Sequence, residues 1–384
     1  MSLDKYIDIL TKSPVQVTLQ SLEALSFQVC STPIPRILIL CLTFLSSCSD
    51  PSQEMGPRLK PITECPEPST GIIIGSLYGN TQDAKTQTQR SLVLMGGGRE
   101  HDEASNIFLE STNGGDIIIL RASGSLTSYP NYFMSTLSSK ISANSALTVL
   151  TSSPQKAMDS AIICRLKKAE GVWLAGGNQW DYLGGWPQSF QVLLGQLTTE
   201  NISVGGTSAG AVSLGEAAFD AQHGTISSQQ ALADPLSEKV SVSYPTFFQP
   251  ELKNTLIDSH FTERNREGRL LTFLARFKSE KDRPTVVGIG LDEGVALVIK
   301  QDHFEVFAPT GRYAWIYELS GPVSLTTDAK LNLTQVVRLK LTDTTKGSWP
   351  VQVQSQESDE LVVINGAIQK KPSKTSTVTG SIRE

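Results

Sequence analysis

Short runs of apolar residues recur from about residue 70 onward and alternate with longer stretches of helical spacing. A run such as residues 116–120 is apolar at nearly every position, which is typical of a strand covered by helices on both faces. Alternation of such strands with helices indicates a parallel sheet flanked by helices. The strands predicted in this part of the chain are residues 71–74, 91–95, 116–120, 147–150, 171–175 and 202–204.

The last third of the chain has a different pattern. A less regular stretch at residues 221–250 is expected to be an active-site loop region, and an apolar helix is centred on residues 269–276. Partly alternating runs then predict hairpins and sheet edges, at residues 286–290, 295–299, 304–307, 336–341 and 360–364. The prediction is an α/β catalytic domain over residues 69–368, with a mostly parallel sheet sandwiched by helices and extra β-strands toward the C-terminus. Residues 369–384 are predicted to be a polar, disordered tail.

The region before this domain has the layout of a secretory signal. Arg36 precedes an apolar run at residues 37–45, and Leu45-Ser-Ser-Cys48 is similar to a bacterial lipobox, whose cysteine becomes lipidated. The run is too short to span a bilayer as a helix. We expect residues 1–48 to be an N-terminal extension with a lipoprotein signal, Cys48 to anchor an extracytoplasmic protein to a bacterial membrane, and the proline-rich residues 49–68 to be a stiff linker. The alternative is a short buried helix or strand in a cytoplasmic protein.

Composition narrows the class of function. Charged residues make up 18% of the chain, the formal net charge is -5, and there is no basic stripe with interleaved aromatic residues, so nucleic acid is not an expected partner. The hydrophobic fraction of 39% and the 30 glycines are typical of a packed globular enzyme. The five cysteines form no C-x-x-C pair and the four histidines are widely scattered, so we expect neither a metal site nor a cofactor.

One glycine-rich stretch has the pattern of a nucleophile elbow. Gly206-Thr-Ser208-Ala-Gly210 fits G-x-S-x-G, a sharp strand-to-helix turn that exposes a serine hydroxyl at the edge of a sheet. Small neighbours are needed there because the serine has strained backbone angles and the strand and helix approach closely. The same letters also occur in ordinary glycine-rich turns. The motif therefore needs a base and an orienting acid elsewhere in the chain.

His260 is the histidine with the most suggestive surroundings. It follows Asp258 at the end of an apolar run, and three arginines come soon after it, at Arg264, Arg266 and Arg269. The arginines converge only if a helix begins between them and leaves Arg264 in the preceding loop, because their spacings do not share one helical face. Guanidinium groups grip carboxylates by two parallel hydrogen bonds, so such a cluster suits an acidic substrate.

Three motifs together resemble the cyanophycinases. They are Gly205-Gly-Thr-Ser-Ala-Gly-Ala211, Asp258-Ser-His-Phe with the arginines that follow, and Gly288-Ile-Gly-Leu-Asp-Glu293. The resemblance covers roughly residues 88 to 300. It implies a serine peptidase of family S51 on a flavodoxin-like fold related to class I glutamine amidotransferases, and relatives imply a homodimer.

The resemblance also implies roles for individual residues. Ser208 would be the nucleophile, His260 the general base and Glu293 the orienting acid. The N–H groups of Ala209 and of a glycine in Gly96-Gly-Gly98, assigned to Gly97, would form the oxyanion hole. The positions that match the substrate-binding residues of the family are Gln179, Asp258, Arg264, Arg266 and Arg269.

The chain departs from the family pattern at two positions. Asn178 and Ser259 stand where the family has Asp and Gln, and Ser259 lacks an amide that is expected to contact the substrate. We therefore expect hydrolysis of peptide bonds next to aspartyl residues, β-Asp-Arg polymer being one substrate and another isoaspartyl or acidic peptide the alternative. Two further hypotheses are a binding protein for acidic peptides that has no turnover, and an amidase or glutaminase, whose relatives normally use cysteine at the elbow.

Overall fold

The computed structural model describes residues 65–137, 140–199, 202–352 and 358–371. These residues belong to one compact unit. The predicted extension and signal with Cys48, most of the proline-rich linker and nearly all of the polar tail lie outside the described residues. No helix within the described ranges is long and apolar enough to cross a membrane.

The strands and helices follow the predicted alternation. In chain order the strands are β1 (Tyr78–Gly79), β2 (Leu92–Met95), β3 (Asp116–Arg121), β4 (Ser145–Leu150), β5 (Gly171–Leu174), β6 (Ser203–Thr207), β7 (Ala218–Phe219), β8 (Val242–Ser243), β9 (Thr255–Asp258), β10 (Val286–Leu291), β11 (Ala296–Lys300), β12 (His303–Phe307), β13 (Ala314–Leu319), β14 (Leu333–Leu341), β15 (Lys346–Ser348), β16 (Asp359–Ile364) and β17 (Ala367–Lys370). The α-helices are α1 (Asp102–Thr112), α2 (Ser128–Asn131), α3 (Pro154–Ala157), α4 (Ser160–Leu166), α5 (Trp180–Leu183), α6 (Gln188–Thr199), α7 (Ala209–Val212), α8 (Ser228–Ala233) and α9 (Glu267–Glu280).

The main sheet has nine strands in the order β1-β4-β3-β5-β6-β2-β11-β12-β15. Its central strands β4, β3, β5, β6 and β2 are parallel, whereas β11 joins β2 antiparallel and begins the hairpin edge. Alternate residues of one strand face opposite cores, since Leu92 and Leu94 pack in one hydrophobic cluster and Val93 and Met95 in another. Residues of α4 and α6 belong to the first cluster and residues of α1 to the second, so helices cover both faces. The predicted flavodoxin-like α/β sandwich is confirmed.

The extra C-terminal strands form a second sheet of six strands, ordered β17-β16-β14-β13-β10-β9. Only β9 and β10 are parallel neighbours, and the remaining pairs are antiparallel. Helix α9 packs its apolar side against this sheet through Leu270 and Leu274, which lie within contact distance of Gly288 in β10. Beginning at Glu267, α9 leaves Arg264 in the preceding loop, as the spacing of the arginines required.

Three local features differ from what the sequence predicted. Residues 71–74 form no strand, and only Ile74 makes an isolated bridge, to Val149. The stretch 221–250 contains helix α8, which begins with a capping box formed by Ser227 and Gln230. Strand β13 was not predicted, because the charged Glu318 interrupts its apolar run.

A disulfide joins Cys65 to Cys164 in α4 across 99 residues of sequence. The cysteine pattern alone did not predict this pair. The N-terminal end of the described chain is further held by the backbone N–H of Ser69, which donates to Asp159 at 3.2 Å. Residues 65–68, predicted to be the end of a linker, are therefore attached to the domain.

Candidate active site

Ser208 lies in a strained turn between β6 and α7. Its φ of 50° and ψ of -120° are unusual for any residue other than glycine. The chain can make this turn because Gly210 has no side chain. A Cβ at this position would lie only 2.1 Å from the carbonyl oxygen of Leu174. The backbone N–H of Ser208 donates to the carbonyl of Met95 at 3.0 Å, which ties the turn to the end of β2. The geometry is that of the predicted nucleophile elbow.

A hydrogen-bonded relay connects Ser208, His260 and Glu293. The Ser208 hydroxyl lies 2.8 Å from Nε2 of His260, and Nδ1 of His260 lies 2.6 Å from Oε1 of Glu293. His260 follows β9 and Glu293 follows β10, so the parallel pairing of these strands brings the ends of both to one edge. The elbow comes from the main sheet, and the other two residues come from the second sheet. The structure therefore brings together the three residues that the sequence motifs singled out.

The environment of His260 keeps its imidazole neutral. Burial is the main cause that lowers the pKa of His260, and the positive charges of Arg264 and Arg266 lower the pKa further, whereas the hydrogen bond to Glu293 opposes them. A neutral imidazole that donates from Nδ1 to Glu293 has a lone pair on Nε2, which faces the Ser208 hydroxyl. This tautomer is the one that can accept a proton from serine.

The glycine loop after β2 packs directly against the relay. A Cβ on Gly97 would lie 2.5 Å from Nε2 of His260 and 3.1 Å from Cβ of Ser208, so only glycine fits there. The carbonyl of Gly96 accepts a hydrogen bond from the backbone N–H of His260 at 2.8 Å. The N–H groups of Gly97 and Ala209, predicted as oxyanion donors, have no hydrogen-bond acceptor among the described residues. Gly97 packs against Ser208 and Ala209 follows it in the chain, and the role of both N–H groups as oxyanion donors stays a prediction.

Two of the three arginines are already paired with Asp258. Arg269 donates from Nε and Nη2 to the Asp258 carboxylate at 2.7 and 2.6 Å, and Arg266 donates to the same carboxylate at 3.1 Å. The side chains of Asp258 and Arg269 are only 2% and 4% exposed. The predicted role of Asp258, Arg266 and Arg269 in binding substrate stays a prediction. Asp258 and Arg269 line the cavity, but their charges neutralise each other.

Arg264 is the arginine of this cluster that has no ion-pair partner among the described residues. It lines a cavity of about 330 Å³ together with the Ser208 turn, residues of β9 and its following loop, and Gly224 and Thr225. Gln179, also predicted to bind substrate, uses its side-chain amide to donate to the carbonyl of Phe219 at 3.1 Å. Of the predicted binding residues, Arg264 is therefore the one with an unused charge.

Asp292, to which the sequence assigned no role, accepts hydrogen bonds that hold together the loops around the site. Its side chain is fully buried and accepts hydrogen bonds from the backbone and hydroxyl groups of Thr262, at 3.0 and 2.6 Å, and from the backbone of Tyr313 at 2.9 Å. These bonds fix the loop after His260 to the turn that carries Glu293. The Asp-Glu pair in the sequence was a signal for this division of roles, although the letters alone did not tell the two acids apart.

The family model described as peptidase family S51 matches residues 92–307. The matched range includes the Ser208 elbow, His260 and Glu293, and it covers more than half of the chain. The chain belongs to peptidase family S51.

Individual relatives of this S51 peptidase are distant. It is 28% identical to the cyanophycinase of Trichormus variabilis over 145 residues, 37% of this chain and 43% of that protein. It is equally similar to the cyanophycinase of Synechococcus elongatus over 144 residues, 37% of this chain and 39% of that one. The match thus spans less than half the length of these curated relatives. Among solved structures, a peptidase from an acI-B1 Actinobacterium aligns with a TM-score of 0.44 and 18% identity, over 68% of this chain and 98% of that one.

Proposed function

We propose that this S51 peptidase is a serine hydrolase that cleaves peptide bonds next to aspartyl residues through Ser208, His260 and Glu293. The observation that carries the proposal is the relay from the Ser208 hydroxyl through His260 to Glu293, with distances of 2.8 and 2.6 Å. A serine hydroxyl becomes a competent nucleophile when a neutral imidazole accepts its proton and an acid fixes the imidazole's orientation.

The reaction proceeds in two halves. Oγ of Ser208 attacks the scissile carbonyl while Nε2 of His260 takes the hydroxyl proton, and the N–H groups of Gly97 and Ala209 stabilise the negative oxygen that forms. The C–N bond then breaks, and His260 delivers its proton to the leaving amine. Water adds to the acyl-enzyme by the same route in reverse, which releases the carboxylic acid and restores Ser208. No step requires a cofactor.

The charge of the cavity supports an acidic substrate. Arg264 lines the cavity with Ser208 and His260 and has no anionic partner among the described residues, so a substrate carboxylate supplies its missing counter-charge. Arg266 adds positive charge, although Asp258 partly neutralises it and burial lowers the pKa of Arg266 to about 10. The resemblance to the cyanophycinases implies the same chemistry, because it suggests a β-Asp-Arg polymer as one substrate. Ser259, which lines the cavity in place of the family's glutamine, favours an acidic or β-aspartyl peptide other than the cyanobacterial polymer.

A peptide panel tests this proposal. The purified protein is incubated with cyanophycin, a β-Asp-Arg dipeptide and several β-aspartyl and α-aspartyl peptides, and products are identified by mass spectrometry. We expect cleavage next to an aspartyl residue by the wild type and none by Ser208→Ala. Cleavage of a β-aspartyl peptide but not of cyanophycin would keep the chemistry and exclude that polymer. Binding of a peptide that yields no product would instead support a binding protein.

The proposal extends to the location of the enzyme. A disulfide such as Cys65–Cys164 persists in oxidising compartments and is rare in a reducing cytosol. Together with the lipobox-like Leu45-Ser-Ser-Cys48, this supports export and attachment to a membrane by a lipid on Cys48. Metabolic labelling with an alkyne fatty acid should mark the wild type but not Cys48→Ala, and equal labelling of both would contradict the anchor.

A further inference from the structure

The short loop that follows β2 contacts the elements carrying all three residues of the relay. The carbonyl of Gly96 accepts from the backbone N–H of His260 at 2.8 Å, and the carbonyl of Gly97 accepts from the backbone N–H of Gly294, next to Glu293, at 2.9 Å. The third contact comes from the end of this loop, where Oε2 of Glu100 accepts a hydrogen bond from the Thr207 hydroxyl at 3.0 Å. Thr207 is the residue directly before Ser208.

Glu100 is a carboxyl group in an unusual setting. It forms no salt bridge among the described residues, and its other oxygen accepts a hydrogen bond from the Tyr129 hydroxyl. Arg121 lies nearby with its guanidinium group 5.5 Å from the centre of the Tyr129 ring, but it donates to Ser123, Ser125 and Ser128 instead. Burial raises the pKa of Glu100, although both hydrogen bonds and the charge of Arg121 oppose that rise.

Glu100 is half-buried, and a carboxyl group that is partly removed from water without an ionic partner costs free energy of folding. The Thr207 hydroxyl does not need a carboxyl group as its hydrogen-bond acceptor. A buried threonine commonly donates to a backbone carbonyl, as Thr198 does to Leu194 at 2.8 Å in this protein. The need of Thr207 for a hydrogen-bond acceptor therefore does not explain why a carboxyl group lies at position 100. The position of this hydrogen bond, between the glycine loop and the elbow, suggests an explanation.

We propose that Glu100 is a positioning residue for the nucleophile, holding the elbow against the glycine loop through Thr207. The Glu100–Thr207 hydrogen bond keeps the glycine loop close to the elbow, where Gly97 packs against both Ser208 and the imidazole of His260. A loop that moves away from the elbow separates the Gly97 N–H from the carbonyl that Ser208 attacks, and displacements of about 1 Å at a reacting centre cost roughly a hundredfold in rate. This inference rests on the proposed hydrolase function.

The test uses two matched substitutions at Thr207. Thr207→Val removes the hydroxyl and keeps the shape of the side chain, whereas Thr207→Ser keeps the hydroxyl. The measurement is inactivation by a fluorophosphonate carrying a fluorophore, which yields the maximal rate of inactivation and the half-saturating probe concentration. We expect Thr207→Val to lower the maximal rate roughly tenfold with an unchanged half-saturating concentration and Thr207→Ser to retain most of the rate.

The substitution Glu100→Met removes both acceptor oxygens at a similar side-chain length, and it gives the second side of the comparison. We expect it to slow inactivation to a similar extent. We expect Thr207→Val to have little additional effect when combined with it, because both changes remove one interaction. If the two effects multiply as independent changes do, or if Glu100→Met reacts at the wild-type rate, the inference is overturned. If Thr207→Val does not fold, Glu100→Met and Thr207→Ser decide by the same criteria.

The two proposals fail in different ways. If the fluorophosphonate does not label the folded wild type, the hydrolase function fails and the role of Glu100 fails with it. If the wild type is labelled and Glu100→Met reacts equally fast, only the positioning role is wrong. A lower melting temperature with an unchanged rate of inactivation would show that the Glu100–Thr207 bond serves stability alone.

Discussion

Arg264 is the side chain that the proposed function links both to substrate binding and to the ionisation of His260. Its guanidinium group has no anionic partner among the described residues, whereas Arg266 and Arg269 share the carboxylate of Asp258. The positive charge of Arg264 also lowers the pKa of His260. A single substitution therefore changes two properties that are measured separately.

We expect Arg264→Gln to raise KM for an acidic peptide by about tenfold to a hundredfold, because a charge-assisted hydrogen bond is lost. Arg276→Gln is a matched control, since Arg276 pairs with Glu280 on helix α9 and does not line the cavity. An equal KM in Arg264→Gln and the control would show that the substrate carboxylate binds elsewhere.

The pH dependence follows from the same contacts. His260 must be neutral to accept a proton, and its pKa is lowered from the usual 6.5, mainly by burial, so the imidazole stays neutral to lower pH than a free histidine. The acid limb of kcat/KM is expected to have an apparent pKa below 6.5. Removing the positive charge in Arg264→Gln raises the pKa of His260 and moves this limb to higher pH. A limb that does not move would place the titrating group outside the influence of Arg264.

At the scale of single residues, the sequence predicted which residues form the relay, but it did not predict how the charged residues around the relay pair. Ser208, His260 and Glu293 each lie in a local motif, and the family resemblance carried by those motifs implied their roles without a fold. The pairing of Asp258 with Arg269 joins the end of β9 to helix α9, and it depends on side-chain directions that the spacing of letters does not contain. The role of Glu100 depends on its distance from Thr207, more than a hundred residues along the chain, and was not predicted.

Some strands and helices could be predicted from their sequence pattern more reliably than others. The strands of the parallel core are apolar on both faces, and β2 to β6 were predicted within a few residues. Strand β13 contains the charged and half-buried Glu318, so its apolar pattern is weaker. Helix α8 is only six residues long, and its capping box was masked by the polar residues around it.

The end of the sheet away from the active site contains an acid that works against stability at neutral pH. Glu170 precedes β5 and accepts from the backbone N–H of Asp116 at 2.8 Å, and burial together with the charges of Asp116 and Asp83 raises its pKa to about 7. Because the folded pKa lies above the unfolded value of 4.5, the folded state favours the neutral acid. Stability from this group is present at low pH and is lost as the pH rises through about 7.

Glu170→Gln should therefore stabilise the protein above neutral pH. The amide keeps an acceptor for the N–H of Asp116 and removes the charge. We expect a gain of about 1 kcal/mol at pH 8, after allowance for partial solvent exposure, or roughly 2–4 °C in the melting temperature, and little change at pH 4.5. Glu103→Gln, at an exposed position of α1, is the control. An equal gain at both pH values would rule out ionisation of Glu170 as the cause.

The whole molecule is held by a cross-link as well as by its cores. The Cys65–Cys164 disulfide closes 99 residues, and such cross-links contribute about 2–4 kcal/mol by restricting the unfolded chain. Replacing both cysteines with serine should lower the melting temperature by several degrees. A reducing agent should bring the wild type to the melting temperature of the double variant and leave that variant unchanged. A wild type insensitive to reduction would show that the disulfide does not stabilise the fold.

The fold as a whole was easier to predict than its two-sheet arrangement. Alternation of apolar runs indicated the α/β sandwich, but the separation of the late strands into a six-stranded sheet depends on pairings such as β10 with β9 and β13. That separation matters for the candidate site, because Ser208 follows a strand of one sheet and His260 and Glu293 follow strands of the other. The candidate site thus lies where strand ends of the two sheets meet, and its geometry depends on their packing.

The most direct measurement for this account is the mass of the protein after reaction with a fluorophosphonate. The account predicts one added phosphonyl group on the wild type, located at Ser208 by peptide mapping, and none on Ser208→Ala. Prior incubation with an acidic peptide substrate should slow the reaction. A folded wild type that gains no mass, or one that gains it at a serine other than Ser208, would contradict the central claim that Ser208 is the nucleophile of a serine peptidase.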